Sequence, residues 1–203
     1  ATNVYTPRLW GSDPSVISSS TIECVERRGM TNKVNRRKAE DTLMEPANKR
    51  DLPEILTLLT RSKLPQDGLA DHVATTIVAK HNGHVVGSAA LELYRADALL
   101  RSVAVKDTLR GQGLGKRLTN AALALARRHK TKTVFLLTET AGEYFSQFGF
   151  KPVQRSEVPR AVQRSVEFTS ACPASALVMM LRLRKNREGG VQTGDLPITD
   201  EHY

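Results

Sequence analysis

Leu99-Leu100-Arg101-Ser102-Val103-Ala104-Val105, followed after a four-residue turn by Arg110-Gly111-Gln112-Gly113-Leu114-Gly115-Lys116, is the stretch that decides the fold of this chain. Its first half is short and apolar, ends on β-branched residues and meets the charged Lys106-Asp107-Thr108, which predicts a buried strand. Beyond it Leu114, Leu118, Ala121, Ala122 and Leu125 recur at helical spacing, so a helix is expected to open near Gly113 and run to about His129. A strand that gives way to a helix through three glycines leaves N–H groups without intrahelical partners at the positive end of the helix dipole. Phosphate oxygens suit such a turn, and Arg110 and Lys116 add mobile countercharge.

Counting separates this loop from two better-known ones. A dinucleotide fingerprint, G-x-G-x-x-G, begun at Gly111 puts Lys116 at its sixth position. A Walker loop ending on Gly115-Lys116 puts Arg110 on its first glycine and Arg117 on its hydroxyl. What fits is Arg or Gln, two residues, Gly, one residue, then Gly or Ala, read here as Arg110, Gly113 and Gly115. That pattern, between a strand and a helix, resembles the acetyl-CoA loop of the GNAT acetyltransferases.

Composition sets the bounds. The 203 residues suffice for one domain with a sizeable core. No apolar run approaches a membrane span and the N-terminus lacks the apolar core of a secretory leader, so a soluble protein is expected, in the cytoplasm or alternatively an organelle. Cys24 and Cys172 are too few for a disulfide framework, and the five histidines show no ligand spacing with them, so no metal is expected. The formal charge of +9 gathers at the loop and its helix, where Lys106, Arg110, Lys116, Arg117, Arg127, Arg128, Lys130 and Lys132 face only Asp107. A polyanionic cofactor explains that excess as well as a nucleic acid does, and a solvated helix face explains Arg127, Arg128 and Lys130 equally. A nucleic-acid partner is disfavoured, because aromatic interleaving and a recognised motif are missing.

Residues 1–41 carry little apolar periodicity and read as a poorly ordered or loosely docked extension; 185–203 are polar and read as a tail. Between them, 42–184 form the expected domain. Leu43-Met44-Glu45 predicts a short strand, and Asn48 or Asp51 can cap a helix with Pro53 in its first turn and Ile55, Leu56, Leu58 and Leu59 inward. Strands are expected over Thr75 to Ala79 and Val85 to Leu93, joined at Asn82-Gly83, a strong hairpin signal. After the glycine helix come a strand over Thr133 to Leu137, a helix over Ala141 to Phe148 ended by Gly149, and a closing pair over Lys151 to Gln154 and Ala176 to Leu183.

That succession, β-α-β-β-β-α-β-α-β-β, is similar to the GNAT fold, with residues 69–74 in the place of a second small helix. The resemblance therefore extends over about residues 42–183. It implies an α/β (α+β) fold with a mixed central sheet of six to seven strands, splayed at the acetyl-CoA site and flanked by helices. Asp51-Leu52-Pro53, Leu64-Pro65-x-x-Gly68, Leu137-Thr138-Glu139-Thr140-Ala141, Phe148-Gly149-Phe150, Glu157-Val158-Pro159 and Cys172-Pro173-Ala174-Ser175 narrow it further. With these phrases the chain resembles the arsenic-resistance N-acetyltransferases, a branch also similar to the acetyltransferase domain of N-acetylglutamate synthase.

The resemblance implies that backbone groups of Val103 and Val105 pair with the pantetheine arm of acetyl-CoA, as though it were another strand. It implies that the N–H groups of Gly111, Gln112, Gly113, Leu114, Gly115 and Lys116 hold the pyrophosphate, with Arg110 beside them. Thr138 stands where many members place a cofactor-contacting Asn. Two positions depart from the family: Leu99 occupies the place of a common glutamate base, and Phe145 that of a common tyrosine acid.

Acetyl transfer to an amine needs a neutral amine, a polarised thioester and an acid for the departing thiolate. Tyr144, one residue before the expected acid, is the candidate, against the plainer role of a half-buried packing tyrosine. Glu92, or Glu139 at the mouth of the next helix, is the candidate base, acting through water; each also reads as an ordinary exposed or capping carboxylate. Proximity alone carries much of such a reaction. Arg101, on the strand bordering the acetyl group, is the candidate for a substrate carboxylate, with an ion pair to Asp97 or Glu92 as the alternative. Cys172 reads as a small core residue, since direct transfer needs no nucleophile.

The expected function is therefore transfer of acetyl from acetyl-CoA to the primary amine of a small, amino-acid-like molecule. The alternative is an acetyl-CoA-binding domain with weak or no catalysis, a sensor or assembly part. Homodimerisation is left open by the sequence.

Overall fold

The computed structural model describes residues 41–183; the expected extension and tail fall outside these residues, apart from Asp41. β1 (Leu43–Pro46) leads into a 3-10 turn, Lys49–Asp51, and α1 (Leu52–Arg61). Asn48 and Asp51 close a reciprocal capping box around the turn, so both expected caps are used together. A 3-10 helix, Leu69–Thr75, occupies the place foreseen for a second small helix. β2 (Thr76–His81) and β3 (His84–Tyr94) are joined by Asn82 and Gly83, whose φ angles of 52° and 79° make the two-residue turn that twists with its strands.

β4 (Asp97–Val105) is followed by α2 (Leu114–Arg128), β5 (Thr133–Thr138), α3 (Gly142–Ser146), β6 (Lys151–Pro152), α4 (Arg160–Gln163) and β7 (Leu177–Arg182). A π-helical turn, Glu167–Ala171, lies between α4 and β7. One mixed seven-stranded sheet results, in the order β1-β2-β3-β4-β5-β7-β6, with β4 and β5 its parallel pair.

Period-two alternation divides the sheet into two faces. On one, α2 buries Leu114, Leu118, Ala122, Leu123 and Ala126 against Ala89, Leu91, Ala98, Leu100, Val134 and Leu136, joined by Phe145 and Phe150. On the other, α1 packs Ile55, Leu58 and Leu59 over Val78, Ala90 and Ala104. Farther along that second face, α4 supplies Val162 to a separate cluster with Leu99, Phe135 and Val178. Glu92 and Arg101 share this face between the two clusters.

Four elements differ from the sequence reading. α3 is shorter than expected, its helical backbone ending at Ser146; tight turns then carry the chain to Gly149 at φ 89°. β6 stops at Pro152, and Gln154 instead opens a capped turn with Glu157. α4 and the π-turn carry no clear apolar period and were not expected.

Candidate functional site

β4 and β5 pair only from Asp97, opposite Thr133, to Leu99, opposite Phe135, although β4 continues to Val105 and β5 to Thr138. The sheet thus opens into a wedge. On the other side of β4 the register slips: Arg101 faces Ala90 and Ala104 faces Ser88, so Ser102 and Val103 share one opposite position. Ser102 adopts φ 55° and its carbonyl accepts a hydrogen bond from the Ser88 hydroxyl at 2.9 Å. This bulge bends β4 where it leaves β5.

At the open end of the wedge lies the glycine loop. Gly111 and Gly113 have φ of 74° and 80° with open space where a side chain would stand, so glycine is required there for backbone conformation. Gly113 caps α2 without a side-chain hydrogen bond, and the first turn of this 15-residue helix contains no acid. Lys116 in that turn opposes the helix dipole, an arrangement that an anion relieves, while Arg117 donates to the hydroxyl and carbonyl of Thr42 at 3.0 Å. Arg110 donates through Nε to the Val105 carbonyl at 3.1 Å and pairs with Asp107 at 2.9 Å.

Gly115 serves close approach. A Cβ there would lie 3.0 Å from the Tyr144 hydroxyl and 3.8 Å from Val105, so phenol, helix and strand end converge at the wedge. The Tyr144 hydroxyl lies 3.1 Å from that of Thr119, and its ring meets Phe145 and Phe148 edge to face. Burial pushes the Tyr144 phenol up, opposed by the Thr119 hydrogen bond, so it remains protonated at neutral pH. Phe145 points into the core against Phe150. Across the wedge, the Thr138 hydroxyl accepts the Ala141 N–H at 3.0 Å and keeps its own proton to donate.

Beside the wedge, buried charges form a closed cluster. Arg101 Nη1 meets Glu92 Oε1 at 2.6 Å; Nη2 meets Glu167 Oε1 at 2.9 Å and the Asp67 carbonyl at 2.7 Å. Glu92, 2% exposed, also accepts from the Tyr94 hydroxyl at 2.6 Å, with His72 3.8 Å away. Burial pushes the Glu92 carboxyl up, but hydrogen bonds from Tyr94, Arg101 and Ser165 outweigh it and hold the group below its ordinary range. Glu167 spends its second oxygen on the Cys172 thiol at 2.8 Å, and burial with that carboxylate leaves the thiol pushed up to about 12. Glu139 stays exposed at the start of the turn after β5.

The structure thus brings Val105, Gly115 and Tyr144 together, with Thr138 across the wedge, and sets Glu92 with Arg101 beside it. Glu167, Ser165, Tyr94 and the Asp67 carbonyl were missed by sequence reasoning. Their only signal is charge or hydroxyl character, and nothing local ties Glu167 to Arg101.

Residues 72–152 match the model of the Acetyltransferase (GNAT) domain. That segment takes in the wedge and the glycine loop, and the mixed seven-stranded sheet around them has the GNAT fold, that of an acyltransferase. An uncharacterized N-acetyltransferase of Chlorobaculum tepidum is 29% identical over 119 residues, 57% of this chain and 76% of that protein. An amino-acid acetyltransferase of Neisseria meningitidis is 30% identical over 112 residues, 54% of this chain but only 25% of that protein. Among solved structures, N-acetylglutamate synthase from Neisseria gonorrhoeae, complexed with coenzyme A and N-acetyl-glutamate, superposes with a TM-score of 0.62 at 22% identity, over 71% of this chain and 35% of that one. Rv2747 from Mycobacterium tuberculosis, in complex with CoA and NLQ, gives 0.61 at 25% identity, over 70% and 99%.

Proposed function

We propose that this chain transfers acetyl from acetyl-CoA directly to the primary amine of a small, amino-acid-like molecule. The observation that carries the reading is the wedge: β4 leaves β5 after Leu99 and runs on to a glycine turn that caps a cation-rich helix. A pantetheine arm fits as an added strand against Val103 and Val105. Its pyrophosphate fits the N–H groups of Gly111 to Lys116, with Arg110 and Lys116 as countercharge and Thr138 as a further donor. The thioester is the chemistry the co-substrate supplies.

In this reading Tyr144, neutral and placed against Gly115 and Val105, donates a proton to the departing thiolate. Glu92 has both oxygens engaged and is held ionised, so we assign it the positioning of Arg101, and the proton of the amine leaves through water toward Glu139. Arg101 reaches a substrate carboxylate only in exchange for Glu167, whose turn covers it. The likeness to amino-acid acetyltransferases and the phrases that resemble the arsenic-resistance branch support amino acids and their toxic analogues as the first acceptors to try.

The alternative, a donor-binding domain with little catalysis, is favoured by Leu99 and Phe145, both buried in apolar clusters where many family members carry the base and the acid. Thiol release from acetyl-CoA across a panel of amino acids and amine toxins tests the choice. Amine-dependent release is expected for at least one acceptor; coenzyme A binding without any such release supports the alternative.

A further inference from the structure

A cleft of about 490 Å³ lies between α1, the start of β3 and the turn that follows β4. One wall is the side of α1 that carries Pro53, Thr57 and Arg61, with the largely buried Leu58 at its base; Val85 and the turn that starts at Lys106 complete the lining. The size is that of a small-molecule cleft. Four charged side chains line it, and two are already committed: Glu54 accepts the Val85 N–H at 2.7 Å and faces His84, and Asp107 pairs with Arg110. Arg61 and Lys106, both exposed, have no ion-pair partner among the described residues. The cleft therefore presents two uncommitted cations around an apolar patch of Pro53, Leu58 and Val85.

We propose that this cleft is a second ligand site, and that its ligand is a small dicarboxylate with an aliphatic body. Arg61 presents a planar fork that matches one carboxylate, Lys106 offers a point charge to the other, and the methylenes between them lie on Leu58 and Val85. Glu54 is held by the Val85 N–H, and neither it nor Asp107 pairs with Arg61 or Lys106, which stay open to the ligand. The proposal does not depend on which amine the wedge serves.

Glutarate titrated into the full chain, followed by the amide resonances of Thr57, Ser62, Val85 and Asp107, tests it. Saturable shifts are expected at these four positions, persisting with saturating coenzyme A. Affinity is expected to fall about tenfold in the Arg61→Gln, Lys106→Gln double variant, and inorganic phosphate, which lacks the aliphatic body, is expected to bind more weakly than glutarate. Equal affinity in the double variant, phosphate binding as tightly as glutarate, or displacement by coenzyme A each overturns the proposal.

Discussion

Arg101 shows what single residues contribute here. Its guanidinium joins β3 through Glu92, the loop after α1 through Asp67 and the π-turn through Glu167, all against the strand that lines the wedge. Breaking such a buried pair costs about 3–5 kcal/mol, because the abandoned charge stays buried. The pH dependence follows from Glu92. Its folded carboxyl lies below the ordinary value near 4.5, so its stabilisation is complete above that value and is lost as pH falls through the lower folded one. Urea unfolding followed from neutral pH downward is expected to show the Glu92→Gln variant less stable at neutrality and less sensitive to acid than the native chain. Tyr144 makes the second residue-scale prediction. With acetyl-CoA and a productive amine, Tyr144→Phe is expected to lower kcat by about 10- to 100-fold while KM for acetyl-CoA changes little. An unchanged kcat assigns Tyr144 to packing.

At the scale of elements, α2 positions the loop, because Leu118 and Leu114 are sealed against β3 and β4 while Gly113 caps the helix. Leu118→Ala is expected to cost about 2–5 kcal/mol in a denaturant titration, the usual range for a buried leucine. What was legible in the sequence follows the same physics. The period of α2, the Asn82-Gly83 turn and the glycines before Leu114 are local signals, and each located its element within a few residues. The bulge at Ser102 was not legible, since a left-handed serine is imposed by the pairing of β3 with β4. α4 and the π-turn escaped as well, because they are held by distant groups: Arg101 takes Glu167, and Arg155 donates to the carbonyls of Phe168 and Pro173.

For the molecule as a whole, the sheet assembles two sites of different character side by side. Backbone and small residues form the wedge, so it was readable as a local pattern. Side chains from β3, β4 and the π-turn form the buried charge cluster, which depends on residues far apart in the sequence. The excess of cations marks the first of these, because the start of α2, which has no side-chain cap, and Arg110 meet at the open end of the wedge. Calorimetric titration of coenzyme A into the full chain and into an Arg110→Ala variant tests that claim most directly. Saturable one-to-one binding by the native chain, weakened about tenfold or more by the substitution, is the predicted result. Absence of saturable binding, or equal affinity in both proteins, would contradict it.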